Sequence, residues 1–197
     1  MLKKIALTLF LVITLAVIAI LAIASTRPAS YHVERSISTA APPQAVFEVL
    51  DDLHRFREWS PWEKLDPKMK VTYTGPETGV GSSYAWEGNS EAGSGRMTIT
   101  ETTPPNELIL KLEFLKPFQS TCAVRYKIAS ENEGSRVTWS IDGNNNFVGK
   151  VMCLFGSMDK MMGGDFERGL ASLKQVTETA AGAPASAETG TTTTAKP

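Results

Sequence analysis

Two stretches in the middle of the chain alternate with a strict period of two, and that pattern restricts what the rest can be. In Glu107 to Phe114, the residues Leu108, Leu110, Leu112 and Phe114 oppose Ile109, Lys111 and Glu113. In Ser120 to Ile128, Cys122, Val124, Tyr126 and Ile128 oppose Thr121, Arg125 and Lys127. Period two is the repeat of a pleated strand with one face buried. Similar segments flank this pair: Met69 to Thr74, Ser82 to Glu87 with Tyr84 and Trp86 on one face, Arg96 to Glu101, and a strand from Gly134 with Val137, Trp139 and Ile141 inward. Gly75-Pro76, Gly79-Val80-Gly81, the Gly88 to Gly95 loop and Pro104-Pro105-Asn106 supply the turns. Tyr31 to Ser38 adds a strand ahead of these, with Val33, Arg35 and Ile37 in one register. Even spacing with turn residues between strands predicts a seven-stranded antiparallel meander.

Helical periodicity appears in two places within the domain. After Pro42-Pro43, which suit a helix start, Val46, Val49, Leu50 and Leu53 are spaced for a short helix, and a second turn follows over Leu53 to Glu58. Trp59-Ser60-Pro61-Trp62 cannot continue as regular helix. A loop with that much aromatic surface must bury it against something. Val148 to Glu178 reads as one long helix, because Val148, Val151, Met152, Phe155, Met158, Met162, Phe166, Leu170 and Leu173 lie within about 60° of one line. Gly163 and Gly164 each cost that helix about 1 kcal/mol relative to alanine, and imply a bend or a close backbone approach. The expected fold class is α+β: a curved antiparallel sheet over a long C-terminal helix, preceded by one transmembrane helix.

The ends of the chain differ from the middle. Ile5 to Ala24 is apolar except for Thr8 and Thr14, and twenty residues at the helical rise span roughly 30 Å, the thickness of a bilayer core. Lys3 and Lys4 precede it, so residues 1–4 are expected in the cytoplasm, 5–24 in the membrane and 25–30 as a linker, with residues 31–178 outside the cytoplasm, periplasmic or extracellular. The alternative is a cleaved signal peptide, for which Ala22-Ile23-Ala24 supplies a site. Residues 179–197 are rich in Ala, Thr, Gly and Pro and carry too little apolar surface to order themselves; they are expected to be a disordered tail.

Charge and composition exclude several functions. A net charge of −1 offers no basic excess for a nucleic acid. The chain has 2 Cys and 2 His, not in metal-ligand spacing, so no metal and no cofactor are expected. Cys122 and Cys153 are expected to be small apolar packing residues; a disulfide between them is the alternative in an oxidising compartment, disfavoured because the strand and helix faces turn them apart.

The order strand, two short helices, six strands, long helix is the helix-grip order. VERSISTAAPPQAVFEVLDDLHRFREWSPW, YTGPETGVGSSYAWEGN with GSGRMTIT, and MDKMMGGDFERGLASLKQV resemble successive parts of the SRPBCC superfamily (START/Bet v 1-like, polyketide cyclase/dehydrase and lipid-transport type), over Val33 to Val176. This resemblance implies a cavity between the concave sheet and the last helix. The inward-facing residues offered as its wall are Tyr84, Trp86, Leu110, Leu112, Phe114, Tyr126 and Trp139 from the strands, with Phe155, Met158, Met162 and Phe166 from the helix. Such a wall suits a lipid or other hydrophobic small molecule.

Catalytic groups are scarce. Glu48, Asp51, Asp52, Glu58 and Glu63 read as a solvated face, and no Ser/His/Asp set assembles. His54, beside the expected cavity entrance, is the one histidine placed to act as a base, though a surface position suits it better. Arg96 is expected to point outward. Binding of a hydrophobic molecule by a membrane-tethered domain is therefore the leading expectation. A cyclase or hydrolase in the same cavity, and an envelope-stress interaction protein with an exposed patch at Trp59 and Trp62, are the alternatives.

Overall fold

The computed structural model describes residues 2–145, 147–154 and 156–182. The alternating segments become β1 (Ser30–Thr39), β2 (Lys70–Thr74), β3 (Ser83–Glu87), β4 (Ser94–Thr103), β5 (Glu107–Lys116), β6 (Ser120–Glu131) and β7 (Gly134–Asn144). They form one antiparallel sheet in the order β1-β7-β6-β5-β4-β3-β2. Sequential strands pair as hairpins, and β1 closes the row by pairing with β7. The inward face is the one the alternation marks: Leu108, Leu110, Leu112, Val124, Tyr126, Ile128, Val137, Trp139 and Ile141 are all buried.

The helices are α1 (Leu2–Ser25), α2 (Pro43–Asp51), α3 (Phe56–Trp59), α4 (Phe147–Met152) and α5 (Met158–Gly182). Pro42 is the N-cap of α2 and Pro43 its first residue, where a missing N–H costs nothing. α2 buries Val46, Phe47, Val49 and Leu50. α5 lays Phe166, Leu170 and Leu173 into the same core. α1 is long and apolar enough to cross a membrane, and its apolar side chains stand exposed.

β1 pins α5 at two points. Arg35, in register with Val33 and Ile37, reaches across to Asp159 (2.7 Å) and Glu167 (2.9 Å). Its guanidinium holds the Asp159 carboxyl below the usual carboxylate range. The same guanidinium lies against Gly163, where a Cβ would sit 2.1 Å from Nη2. Near the other end, Glu178 Oε1 accepts from the Ala40 N–H (2.9 Å) and the Thr39 hydroxyl (3.2 Å).

Two expectations need correction. The single helix over Val148 to Glu178 is two helices, α4 and α5, separated by a turn around Gly156-Ser157. Ser157 restarts the helix: its hydroxyl accepts from the Lys160 N–H at 3.2 Å, the bond an N-cap side chain makes. Apolar spacing carries on through that break, so periodicity alone does not show it. α5 also runs to Gly182, past the expected boundary at Glu178, while 183–197 lie outside the described residues. Gly163 provides a close approach, as its place in mid-helix implied, and so does Gly169, where a Cβ would meet Trp139 at 2.7 Å and Pro61 at 3.2 Å.

These glycines give a paired prediction. Gly169→Ala should lower stability by about 1–3 kcal/mol, because the buried Trp139 ring cannot yield. Gly164→Ala, whose nearest neighbour is the Arg168 side chain at 3.6 Å, should raise stability by about 1 kcal/mol through helix propensity. Urea denaturation of the two variants beside the parent checks both signs.

Candidate ligand-binding cavity

The inward face is not filled evenly. Past Phe166 along α5, Leu170 and Leu173 are buried in one core cluster with Leu108, Leu110, Ile99, Ile128, Val137 and the α2 side chains, none of which lines the cavity. Under the first turns of α5 it is hollow. The cavity there has a volume of about 330 Å³, within the usual range for small-molecule sites. β3 contributes Tyr84 and Trp86, β4 Met97, β5 Leu112 and Phe114, β6 Val124 and Tyr126, β7 Trp139 and Ile141, and α5 Met162, Asp165 and Phe166. The stretch after α3 and the β3–β4 loop complete the wall with Trp62, Glu63, Leu65, Met69, Glu91 and Ala92.

Rigid rings hold the space open. Trp139 stacks on Phe166 with centroids 4.1 Å apart and planes 8° from parallel. Trp59 meets Trp139 edge-on at 5.6 Å, and Trp62 does so at 5.7 Å. The Trp59-Ser60-Pro61-Trp62 loop therefore packs its rings against α5 and β7, with Trp59 only 3% exposed and Trp62 half-buried. The exposed patch that would favour an interaction protein is not there. On the opposite wall, Trp86 Nε1 donates to the Ala92 carbonyl at 3.1 Å, and its ring fills the space over Gly95, where a Cβ would meet it at 2.4 Å.

The polar groups are few. Burial pushes the Tyr84 and Tyr126 phenols well above their ordinary value, and for Tyr84 the nearby Glu63 carboxylate adds to the effect. Glu63 belongs to the wall and not to a solvated face, which corrects the sequence-based expectation. The tight turn Glu63–Leu65 after the Trp59-Ser60-Pro61-Trp62 loop folds the Glu63 carboxylate back onto Arg57. Its Oε2, like Nε1 of Trp59 and of Trp139, is buried without a hydrogen-bond partner among the described residues. Asp51 likewise has a buried oxygen without a partner, and burial raises its carboxyl pKa.

Of the residues offered from the sequence, Tyr84, Trp86, Leu112, Phe114, Tyr126, Trp139, Met162 and Phe166 line the cavity. Leu110 is sealed in the core below it. Met158 faces a separate surface hollow shared with Arg27 and Pro28. Phe155 lies outside the described residues. Met97, Val124 and Ile141 stand on inward faces that the alternation marks, whereas Trp62 and Glu63 come from a loop and turn, and Met69, expected to open a strand, lies just ahead of β2, where no period signals direction. His54 is exposed, stacked on Tyr73 at 4.0 Å, with Nδ1 3.1 Å from Asp52; it is not part of the wall. Arg96 points outward and pairs with Glu113. Cys122 and Cys153 are free thiols, Cys122 buried beside Tyr31. Among the described residues no group of three His, Cys, Asp or Glu side chains is placed to hold a metal.

A curved antiparallel sheet gripping one long helix over an apolar cavity defines the helix-grip class. The sequence identifies the family within it: residues 30–178 match the polyketide cyclase / dehydrase and lipid transport family, and the chain belongs to that family. No curated protein matches the sequence. Solved structures share the fold at low identity. Protein CV1439 from Chromobacterium violaceum is 13% identical, with a TM-score of 0.55 over 77% of this chain and 99% of that one. The Aha1 dimer from Colwellia psychrerythraea is 15% identical, with a TM-score of 0.51 over 75% and 96%. The di-domain ARO/CYC BexL from the BE-7585A biosynthetic pathway is 12% identical, with a TM-score of 0.55 over 83% of this chain and 53% of that one. At such identities the likeness shows the fold alone.

The phenols provide a test of the burial. Tyr31, Tyr84 and Tyr126 all have pKa values raised by burial above the ordinary 10.0, so the fold keeps them protonated where an unfolded chain would ionise them. Their contribution to stability is full below pH 10 and is lost as pH rises through the raised values. In a Tyr73→Phe variant, which removes the half-buried fourth phenol, alkaline titration should show little phenolate absorbance until cooperative unfolding, then a single joint rise. Ionisation near pH 10 with the fold intact would contradict the burial.

Proposed function

We propose that this protein binds a lipid or other hydrophobic small molecule in the cavity beneath the start of α5, and that α1 tethers the domain to a membrane. The observation that carries the reading is the cavity wall: about 330 Å³ lined mainly by aromatic, Met, Leu, Ile and Val side chains, with Glu63, Glu91 and Asp165 as its charged members. Such a space favours an apolar guest, because water inside it would find few partners. The phenols, the Glu63 carboxylate and the indole N–H groups near it would orient a small polar end. Family membership supports the same class of ligand. Tethering supports it further, because it raises the effective concentration of the domain at the lipid surface. Lys3 and Lys4 ahead of α1 favour an N-terminus in the cytoplasm and a domain on the far side.

A second reading has one observation in its favour: Glu63 is a wall carboxylate with an unpartnered oxygen. In a cyclase-type enzyme it would be the acid or base that His54 is not placed to be.

The test is native mass spectrometry of the full-length protein released from detergent, after purification and again after exposure to a mixed lipid extract. A reproducible adduct is expected, and it should disappear in Leu112→Trp and Met97→Trp, which put an indole into the cavity. His54→Ala should retain it. A bare protein mass before and after exposure would contradict the binding reading. Glu63→Gln should retain the adduct if the protein is only a carrier. Accumulation in that variant of an adduct the parent converts to a different mass would favour the enzyme.

A further inference from the structure

Outside α1, the large apolar side chains that stand exposed among the described residues are Leu65, Val80, Leu115, Phe118 and Met161. The ladders show that they are not scattered. Ser30 pairs with Asn144, Cys122 with Gly143, Phe114 with Ser120, and Ser94 with Lys116. The start of β1, the β5–β6 turn and the β3–β4 loop thus share one end of the sheet, and Leu115 and Phe118 are there. Asn89 in the β3–β4 loop donates its side-chain amide to the Leu65 carbonyl at 3.1 Å, bringing Leu65 to the same end. Met161 is in the first turn of α5, whose start at Met158 lies beside Arg27 and Pro28 of the linker. Val80 alone occupies the β2–β3 turn at the opposite end.

Phe118 is 55% exposed and Leu115 53%. Leu115 is also the extra residue of a β-bulge, since Gly95 pairs with Phe114 and Ser94 with Lys116. A bulge re-aims the side chain it carries. α1 leaves the domain from this same end. The linker Thr26 to Ala29 can reach at most roughly 14 Å when extended, and it is not free to swing. Asn145 donates its N–H to the Ala29 carbonyl (2.9 Å) and its side-chain amide to the Pro28 carbonyl (3.1 Å), while α1 packs against α4. Leu65, Glu91 and Met162, in the cavity wall, lie at this end as well.

We propose that this end of the domain is a bilayer-docking face. Leu65, Leu115, Phe118 and Met161 seat in the interfacial region of the membrane that α1 spans, and the cavity mouth opens onto lipid instead of bulk water. The proposal rests on α1 being a retained membrane anchor. A few apolar side chains on loops and turns suit shallow insertion at the headgroup level. Lys116 pairs with Glu87 at 3.8 Å, and Lys64 and Lys160 stand beside Leu65 and Met161. A hydrophobic guest could then pass between bilayer and cavity without crossing water.

The test uses the full-length protein in vesicles of phosphatidylethanolamine and phosphatidylglycerol. Cys153→Ser removes the accessible thiol, and the buried Cys122 stays unlabelled. An environment-sensitive fluorophore is attached at Phe118→Cys, at Leu65→Cys as a second position, and at Val80→Cys on the opposite end. Docking is expected to give quenching by a lipid-borne spin label at positions 118 and 65 with loss of quenching by aqueous iodide, and the reverse at position 80. Equal iodide access at all three positions, in protein that resists alkaline extraction, would overturn docking and leave the anchor standing. Release of the chain by the alkaline wash would overturn the anchor and the docking face with it. Iodide protection without lipid quenching, increasing with protein density, would assign the face to a second copy of the chain and overturn the proposal.

Discussion

The stack of Trp139 on Phe166 sets the distance between sheet and helix, and both halves of the interior depend on it. Its centroids are 4.1 Å apart, and the backbone of α5 comes down onto the Trp139 ring where Gly169 leaves out a side chain. Beyond this contact, farther along α5, Leu170 and Leu173 are buried among aliphatic side chains of the core. On the other side, Trp59 and Trp62 are wedged edge-on against the same ring, and the space beyond them stays open. Flat, stiff side chains cannot collapse into a hollow as methionines or leucines can, so the cavity is a consequence of where the large rings sit.

That arrangement has a cost. Among the described residues, the indole N–H groups of Trp59 and Trp139 and one oxygen of Glu63 are buried without partners. An unmade hydrogen bond of this kind costs about 1–3 kcal/mol. All three belong to the loop that props the cavity or to the ring it props. The charged pins between β1 and α5 lie elsewhere, at Arg35 and Glu178, and hold the helix along its length without entering the hollow. Secure attachment of α5 and an unfilled space under its first turns are thus met by separate residues.

Much of the fold was legible because strand alternation is a strong signal. Seven strands, the inward faces of five of them (β1, β3, β5, β6 and β7), and the two short helices follow from period and turn residues. Alternation tells which face a residue is on but not how far along the groove it sits. Leu110 and Leu112 have the same signature, yet one is sealed in the core and the other lines the cavity. The loop residues were the least legible. Glu63 looks like a surface carboxylate in sequence, and its inward turn accompanies an ion pair with Arg57 across the Trp59-Ser60-Pro61-Trp62 bend. The break between α4 and α5 was hidden for a related reason. Apolar spacing runs through it, and the Gly156-Ser157 restart is a local signal weaker than the period around it.

The most direct check on an internal apolar site is methyl-resolved NMR of the full-length protein in detergent, titrated with a neutral naphthylamine probe. Saturable shifts confined to the methyl groups of Met97, Leu112, Ile141 and Met162, with Leu108 and Leu173 unmoved, are expected of a guest under the start of α5. Absence of saturable shifts, or shifts limited to exposed side chains such as Val80, would contradict the cavity as the binding site.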